Sequence, residues 1–398
     1  MSLILPIEKR NAVLQRMAQL VVEESQKIMA ANAADMQAYD GEDLAMGDRL
    51  KVDAAKIEGM VLSLKQLNTQ TDPIGQERYA FTHENGMHIS NKTAPFGTVM
   101  IIYESRPDVT IEAAGIAFKS GNKILLKGGK ESLQSNLVLV ELWHKALKEN
   151  DCATDWITYL NYSRQETQEF LAKPNQKIDL IVPRGGERLI QFVKEHAQCP
   201  VIVSGRGNNF LYVSESADVQ MALDIILNAK TTKISACNAL DKVLLDDKLP
   251  NKKEFVTQLI QQLKANNVSI FTDAHLTENE NTETITNEAI WEEEFLDYKI
   301  VLGQVEGLTQ AIEKINLHSG GHSATIVTNN EEEASTFMAS VDSAAVYHNA
   351  STRFTDGGQF GLAGELAIST DKLHQRGPIG LQHLVTNKWY IKGNGQIR

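Results

Sequence analysis

The sequence predicts an α/β protein built from parallel sheets with helices on both faces. Three observations carry this. From Gly97 onward, short apolar runs alternate with helical patterns, the signature of a parallel sheet. The runs are continuous instead of alternating in polarity, which fits strands buried on both sides. The rhythm also restarts after Asp218, so a second unit of the same kind is expected. A length of 398 residues agrees with two or three domains.

The elements follow in order. Ile7, Leu14, Met17, Val21, Ile28 and Met29 recur at helical spacing, as do Ile57, Met60, Val61, Leu64 and Leu67. The first 70 residues are therefore expected to form two long helices, closed by Asp72-Pro73. A hairpin is expected over about 78–95, where strands 79–84 and 87–93 flank Asn85-Gly86. That dipeptide's easy positive φ suits a type I′ turn. Isolated hairpins are marginal, so this one should lie on something, a second subunit included.

In the first unit, strands are expected over 99–103, 123–126, 156–160, 178–182 and 201–203, with helices between them. In the second, Asp218 is an N-cap for a helix carrying Val219, Ala222, Ile225, Ile226 and Ala229 on one face. Strands are expected over 243–245, 268–271, 299–302, 324–327 and 344–347, with Pro250 in the first turn of an intervening helix.

Composition narrows the function classes. Hydrophobic residues at 42% leave ample material for a core. No stretch approaches the ~18 apolar residues of a membrane helix. Met1-Ser2-Leu3-Ile4-Leu5-Pro6 runs at once into Glu8, Lys9 and Arg10, so no signal-peptide core is read there and the cytoplasm is the expected address. Cys152, Cys199 and Cys237 are too few and scattered for a disulfide framework or metal cluster. The net charge of −12 argues against nucleic acid or an anionic membrane as partner. Nine of those charges, however, lie between Asp273 and Asp297, a stretch without Lys or Arg. Its centre at 277–283 is expected to be a solvated loop, so the total says little about a site elsewhere.

Candidate chemistry begins with Cys237, in Lys233-Ile234-Ser235-Ala236-Cys237-Asn238-Ala239, a small polar connection between a helix and a strand. Loops on a rigid scaffold tend to carry function. A thiolate there is a strong nucleophile toward an acyl carbon, with Lys230 and Lys233 close in sequence to favour it. By spacing alone the residue reads more readily as a small buried hydrophobe.

Two glycine pairs follow strands of the first unit: Lys127-Gly128-Gly129-Lys130 and Pro183-Arg184-Gly185-Gly186. Both run from strand to helix and carry a cation, as a phosphorylated cofactor would require. Each is also an ordinary turn former. No G-x-G-x-x-G follows the first strand, and Gly205-Arg206-Gly207 lacks the third glycine. Metal spacing is absent too, since His318 and His322 straddle Ser319-Gly320-Gly321. A G-x-S-x-G elbow is also lacking.

Taken together, these segments resemble the gamma-glutamyl phosphate reductase family of the aldehyde dehydrogenase-like superfamily. The resemblance rests on Tyr103-Glu104-Ser105-Arg106-Pro107, Lys119-Ser120-Gly121-Asn122, both glycine turns and Asn228-Ala229-Lys230-Thr231. It extends through Ala236-Cys237-Asn238-Ala239-Leu240, Arg353-Phe354-Thr355-Asp356-Gly357-Gly358 and Arg376-Gly377-Pro378-Ile379-Gly380-Leu381. It implies a Rossmann-like cofactor domain without the usual fingerprint, a second α/β catalytic domain carrying the cysteine, and an oligomerisation hairpin.

The expected division is 1–230 for the cofactor domain, 231–350 for the catalytic domain, and 351–398 returning to the first and ending in an oligomerisation tail, where Lys388 to Ile397 is a candidate interface piece beside the hairpin. The implied reaction is NADPH-dependent reduction of L-glutamyl 5-phosphate, the second step of proline biosynthesis, through a Cys237 thioester. Asn238 would assist at the oxyanion. Lys127, Gly128, Gly129, Pro183, Arg184, Gly185, Gly186 and Glu365 would bind NADP, and Ser105, Arg106, Lys230 and Arg353 the substrate. A homodimer and contact with glutamate 5-kinase are the implied partners, with no metal.

Relatives that make free acids carry a glutamate roughly three dozen residues before the cysteine, where it activates water. The stretch from Pro200 to Phe210 holds no carboxylate, which suits phosphate as the acyl partner. Two places depart from the family pattern. Asn209-Phe210 stands where a Cys-His pair is usual, and Gly361-Leu362-Ala363-Gly364-Glu365 where G-x-G-A-E is usual. Both bear on cofactor preference and substrate fit. The competing readings are a dehydrogenase for another semialdehyde or acyl phosphate, and a non-catalytic scaffold for the kinase.

Overall fold

The structure is a computed structural model and describes residues 4–41, 44–276 and 281–398. The first three residues of the expected N-terminus and the first part, 277–280, of the acidic centre at 277–283 lie outside the described residues. Contacts divide the chain into two compact units. The first comprises Met1–Val203, Gly361–Ala367 and Ile379–Arg398, and the second Ser204–Phe360 and Ile368–Pro378.

The first unit opens with helices Ile7–Glu23, Ser25–Ala38, Leu44–Leu50 and Ala54–Thr69. The first long helix expected from periodicity is thus two, separated at Glu24, whose ψ of 16° leaves the helical region. The apolar stripe is nevertheless buried as expected, with Leu14, Met17, Val21, Ile28 and Leu64 at 1% exposure or less.

Strands β1 (Glu77–Thr82) and β2 (His88–Pro95) form the antiparallel hairpin. Its turn is not type I′. Gly86 N–H donates to His83 O at 2.8 Å and His83 N–H to Met87 O at 2.8 Å, and only Gly86 has a positive φ, +89°. This is a type I turn followed by a left-handed glycine, the three-residue hairpin loop.

Strands β3 (Thr98–Tyr103), β4 (Lys123–Lys127), β5 (Ile157–Tyr159) and β6 (Leu180–Arg184) form a parallel sheet ordered β5-β4-β3-β6. Val99, Ile101 and Tyr103 enter one core with the helices Pro107–Lys119 and Leu133–Glu149. Met100 and Ile102 enter a second core with Phe170, Leu171 and Val193. Burial on both faces explains the continuous apolar runs. The strand expected over 201–203 is reduced to a single bridge between Val201 and Ile181.

The second unit is built on a seven-stranded sheet in which every pairing is parallel. Its strands are β7 (Asn209–Val213), β8 (Leu240–Asp246), β9 (Ser269–Thr272), β10 (Glu283–Thr284), β11 (Lys299–Val305), β12 (Ser323–Val327) and β13 (Ala345–His348), ordered β10-β9-β11-β8-β7-β12-β13. β7 was not expected from sequence, although all five of its residues are buried. It and the helix Val219–Thr231 belong to the second unit, whereas the sequence division was drawn after residue 230. Asp218 caps that helix by accepting from Met221 N–H at 2.8 Å.

The chain ends in β14 (Val385–Lys392), antiparallel to β2, so the hairpin becomes a three-stranded sheet. Among the described residues no helix is long and apolar enough to cross a membrane.

Candidate active site

In the second unit, the connection from helix Val219–Thr231 to β8 folds into a tight turn. Ala239 N–H donates to Ala236 O at 2.9 Å, which puts Cys237 and Asn238 at the two central positions. Cys237 is partly exposed and forms no disulfide. Gly207 lies directly behind it, and a Cβ there would collide with the Cys237 carbonyl and Cα. Only glycine permits that approach.

Asn238 does not offer its side-chain amide to a substrate. Its Nδ2 donates to Arg353 O at 3.2 Å and Thr355 O at 3.0 Å, and Thr352 Oγ1 donates back to Asn238 O at 2.8 Å. The side chain is a clasp between two turns. Its backbone N–H, unused by the hydrogen bond that closes the turn, is the group left for an oxyanion.

The clasp fixes Arg353, whose Nε and Nη1 are buried without a hydrogen-bond partner. Burial pushes the Arg353 pKa down, and the Cys237 thiolate pulls it back up. A cation with unspent donors beside a thiol is a site for an anion. Lys230 is placed differently. It is 0% exposed, and its Nζ sits 2.9 Å from Asp241 Oδ1. Burial lowers its pKa and Asp241 raises it. Asp241 also accepts from Phe295 N–H at 3.0 Å, so the pair organises the interior of the unit.

In the first unit, the predicted residues gather at the carboxyl ends of β3, β4 and β6. Chain order reverses between β3 and β6, the switch point where open α/β sheets bind ligands. Gly128, Gly129 and Gly185 each admit a close neighbour. A Cβ on Gly129 would lie 2.6 Å from Ser105 Oγ, and one on Gly185 2.6 Å from Glu104 Cδ. Glu104 Oε1 accepts from Gly186 N–H at 2.9 Å, so a carboxylate occupies the start of helix Glu187–His196.

Lys127 Nζ donates to Gly128 O at 2.7 Å, with its pKa lowered by burial. Ser105 Oγ donates to Glu131 at 2.7 Å. Arg184 donates to Glu365 O and, at 2.7 Å, to Leu366 O, while Glu112 accepts from Glu365 N–H at 3.0 Å. These bonds hold the backbone of the Gly361–Glu365 segment. Pro183 lies within β6, paired with Ile102. Arg106 Nε is buried without a partner at this edge. Two cations, Lys127 and Arg184, at a strand-end switch point fit an anionic dinucleotide, and the orphaned Arg106 N–H beside them leaves a donor for an anionic substrate. Among the described residues no cluster of three or more His, Cys, Asp or Glu is arranged for a metal.

The aldehyde dehydrogenase family model matches residues 4–279. The chain is 40% identical to gamma-glutamyl phosphate reductase of Clostridium botulinum (strain Alaska E43 / Type E3) over 392 residues, 98% of this chain and 94% of that protein. It is 37% identical to the reductase of Bacillus mycoides over the same shares. The chain belongs to the gamma-glutamyl phosphate reductase family. A solved structure of the Thermotoga maritima family member matches with a TM-score of 0.95 at 36% identity, covering 99% of this chain and 95% of that one. An acetylating aldehyde dehydrogenase from Geobacillus thermoglucosidasius, at 16% identity and a TM-score of 0.70, shares the fold over 99% of this chain and 93% of its own. The fold class and family expected from the motifs are borne out. Sequence reasoning missed what Gly207 and Asn209 do at the turn: Gly207 read only as part of an incomplete glycine motif, and Asn209 only as a departure from the family pattern.

Proposed function

We propose that the chain reduces L-glutamyl 5-phosphate to L-glutamate 5-semialdehyde and phosphate with NADPH, through a thioester on Cys237. The observation that carries this is a buried guanidinium with unspent donors, Arg353, beside a cysteine at the centre of a tight turn. The Cys237 thiolate attacks the acyl carbon, a C–S bond forms, and the C–O bond to phosphate breaks with its electron pair leaving on the phosphate. Arg353 offers its Nε–H and Nη1–H to the anionic groups of the substrate. The backbone N–H groups of Cys237 and Asn238 offer the donors for the tetrahedral oxyanion. NADPH, when bound, supplies the hydride. Collapse of the resulting thiohemiacetal breaks the C–S bond, releases the aldehyde and returns the thiolate.

Lys127, Gly128, Gly129, Pro183, Arg184, Gly185 and Gly186 are assigned to the cofactor's phosphates and Glu365 to its ribose. Ser105 and Arg106 are assigned to the substrate, while the buried ion pair leaves Lys230 to Asp241. The residues from Pro200 to Phe210 place no carboxylate near the turn that could activate water, so the thioester's partner is phosphate. The chain is further assigned a cytoplasmic address and a homodimeric state. Glutamate 5-kinase is its supplier, because an acyl phosphate hydrolyses readily in water.

The test runs the reaction backwards, with glutamate 5-semialdehyde, phosphate and NADP⁺, following absorbance of the reduced nicotinamide. Phosphate-dependent reduction that disappears in Cys237→Ser is the expected result. Turnover without phosphate, or an unaffected variant, overturns the reading. A preference for NAD⁺ would overturn the cofactor assignment alone.

A further inference from the structure

Asn209 heads β7 and is fully buried. Its Nδ2 lies 2.8 Å from Cys237 O, 2.6 Å from Ala239 O and 2.9 Å from Gly207 O. Two amide hydrogens therefore serve three carbonyls around one turn. The amide cannot rotate away, because its Oδ1 accepts from Ser323 N–H at 3.0 Å. Ser323 Oγ in turn meets Thr355 Oγ1 at 2.7 Å, and Thr355 O accepts from Asn238 Nδ2. The ring closes on Asn238 from both sides.

The consequence follows from peptide geometry. Cys237 O and Asn238 N–H belong to one planar trans unit and point in opposite directions. Holding the carbonyl inward, with Gly207 backing the same atoms, turns the Asn238 N–H outward. We infer that Asn209 is a positioning residue that aims the Asn238 N–H at the oxyanion formed on the acyl carbon. The inference rests on the reading of Cys237 as nucleophile. It assigns Asn209 to transition-state stabilisation and not to thiol reactivity or substrate affinity. Donors of this kind act only when their direction is fixed in advance.

The test uses Asn209→Ala and Asn209→Ser in the full chain. Asn209→Ala withdraws both donors, and Asn209→Ser leaves one hydroxyl. The readouts are kcat and KM in the semialdehyde, phosphate and NADP⁺ direction, together with the rate of Cys237 alkylation by iodoacetamide, followed by peptide mass spectrometry. Alkylation builds no oxyanion, so it reports on the thiol alone. The expected result is a fall in kcat on the order of 10- to 100-fold in Asn209→Ala, smaller in Asn209→Ser, with KM and alkylation unchanged. Ile270→Val, a buried change in β9, serves as control and should lower thermal stability without moving kcat.

Wild-type kcat in both Asn209 variants overturns the inference, as does a parallel loss of kcat and alkylation. Should Asn209→Ala fail to fold, Asn209→Ser is judged by the same split. Cys237→Ser separates the two readings. If it is inactive while Asn209→Ala turns over normally, only the positioning role falls. If Cys237→Ser still turns over, the nucleophile falls and the inference with it.

Discussion

Cys237 is usable because of what surrounds it, and each neighbour makes a separate demand. Gly207 is where a side chain cannot exist, since any Cβ meets the Cys237 backbone. Gly207→Ala should therefore displace the turn and reduce kcat on the order of 100-fold or more, the usual consequence of moving a reacting group by about 1 Å. Steady-state kinetics beside a circular dichroism spectrum checks this. Arg353 makes a different demand, because its Nε and Nη1 have no protein partner. Arg353→Gln should raise KM for phosphate and slow Cys237 alkylation at neutral pH, since a thiolate loses its neighbouring cation. An unchanged KM for phosphate would remove Arg353 from the substrate site. Little of this could be read along the chain. Asn238 and Arg353 are 115 residues apart, and the turns that carry them meet only once β12 and β13 are in place. Lys230 looked available because its partner Asp241 lies across the turn on β8, a pairing that only the folded helix and strand create.

At the scale of elements, strands were legible where burial on both faces forced four or more apolar residues in a row, as in β3. β7 satisfies the same rule through Phe210-Leu211-Tyr212-Val213, yet a second apolar run at 201–203 stands just before it. Two glycines and two asparagines separate the runs and disguise which one is the strand. The entry to β12 carries a further consequence. His322 is fully buried, with Nδ1 2.8 Å from Ser323 Oγ and Nε2 without a partner, and burial lowers its pKa from 6.5 to about 4. The folded state therefore holds it neutral through a range where the unfolded chain takes up a proton. Stability from this residue is complete above pH 6.5 and is lost as the pH falls toward 4. At pH 5 the loss should be about 2 kcal/mol. Denaturant melts of wild type and His322→Gln at pH 7 and pH 5 test it. The wild type should lose more than the variant, and equal losses would place the acid sensitivity elsewhere.

On the scale of the whole molecule, the sequence named the hairpin and the C-terminal tail as separate candidates for an interface. The fold makes them one surface. Register places Tyr79 and Trp389 on either side of Asn91, and Phe81 and Ile391 on either side of Ile89. These side chains share a face because successive residues of a strand alternate between faces. The rings of Tyr79 and Trp389 meet edge to face, with centroids 6.2 Å apart. Yet Tyr79 is 55% exposed, Trp389 50% and Ile391 56%. A three-stranded sheet with a row of large apolar side chains facing water is unstable by itself and marks an interaction surface. A second copy of the chain is the occupant proposed, because the strands β2 and β14 are joined along their full length and so present one continuous face to a partner. The double variant Trp389→Asp with Ile391→Asp should shift sedimentation from dimer to monomer, since a charge on each protomer would be desolvated in the closed interface. Wild type that already sediments as a monomer, or a double variant that remains dimeric, would assign this face to another partner.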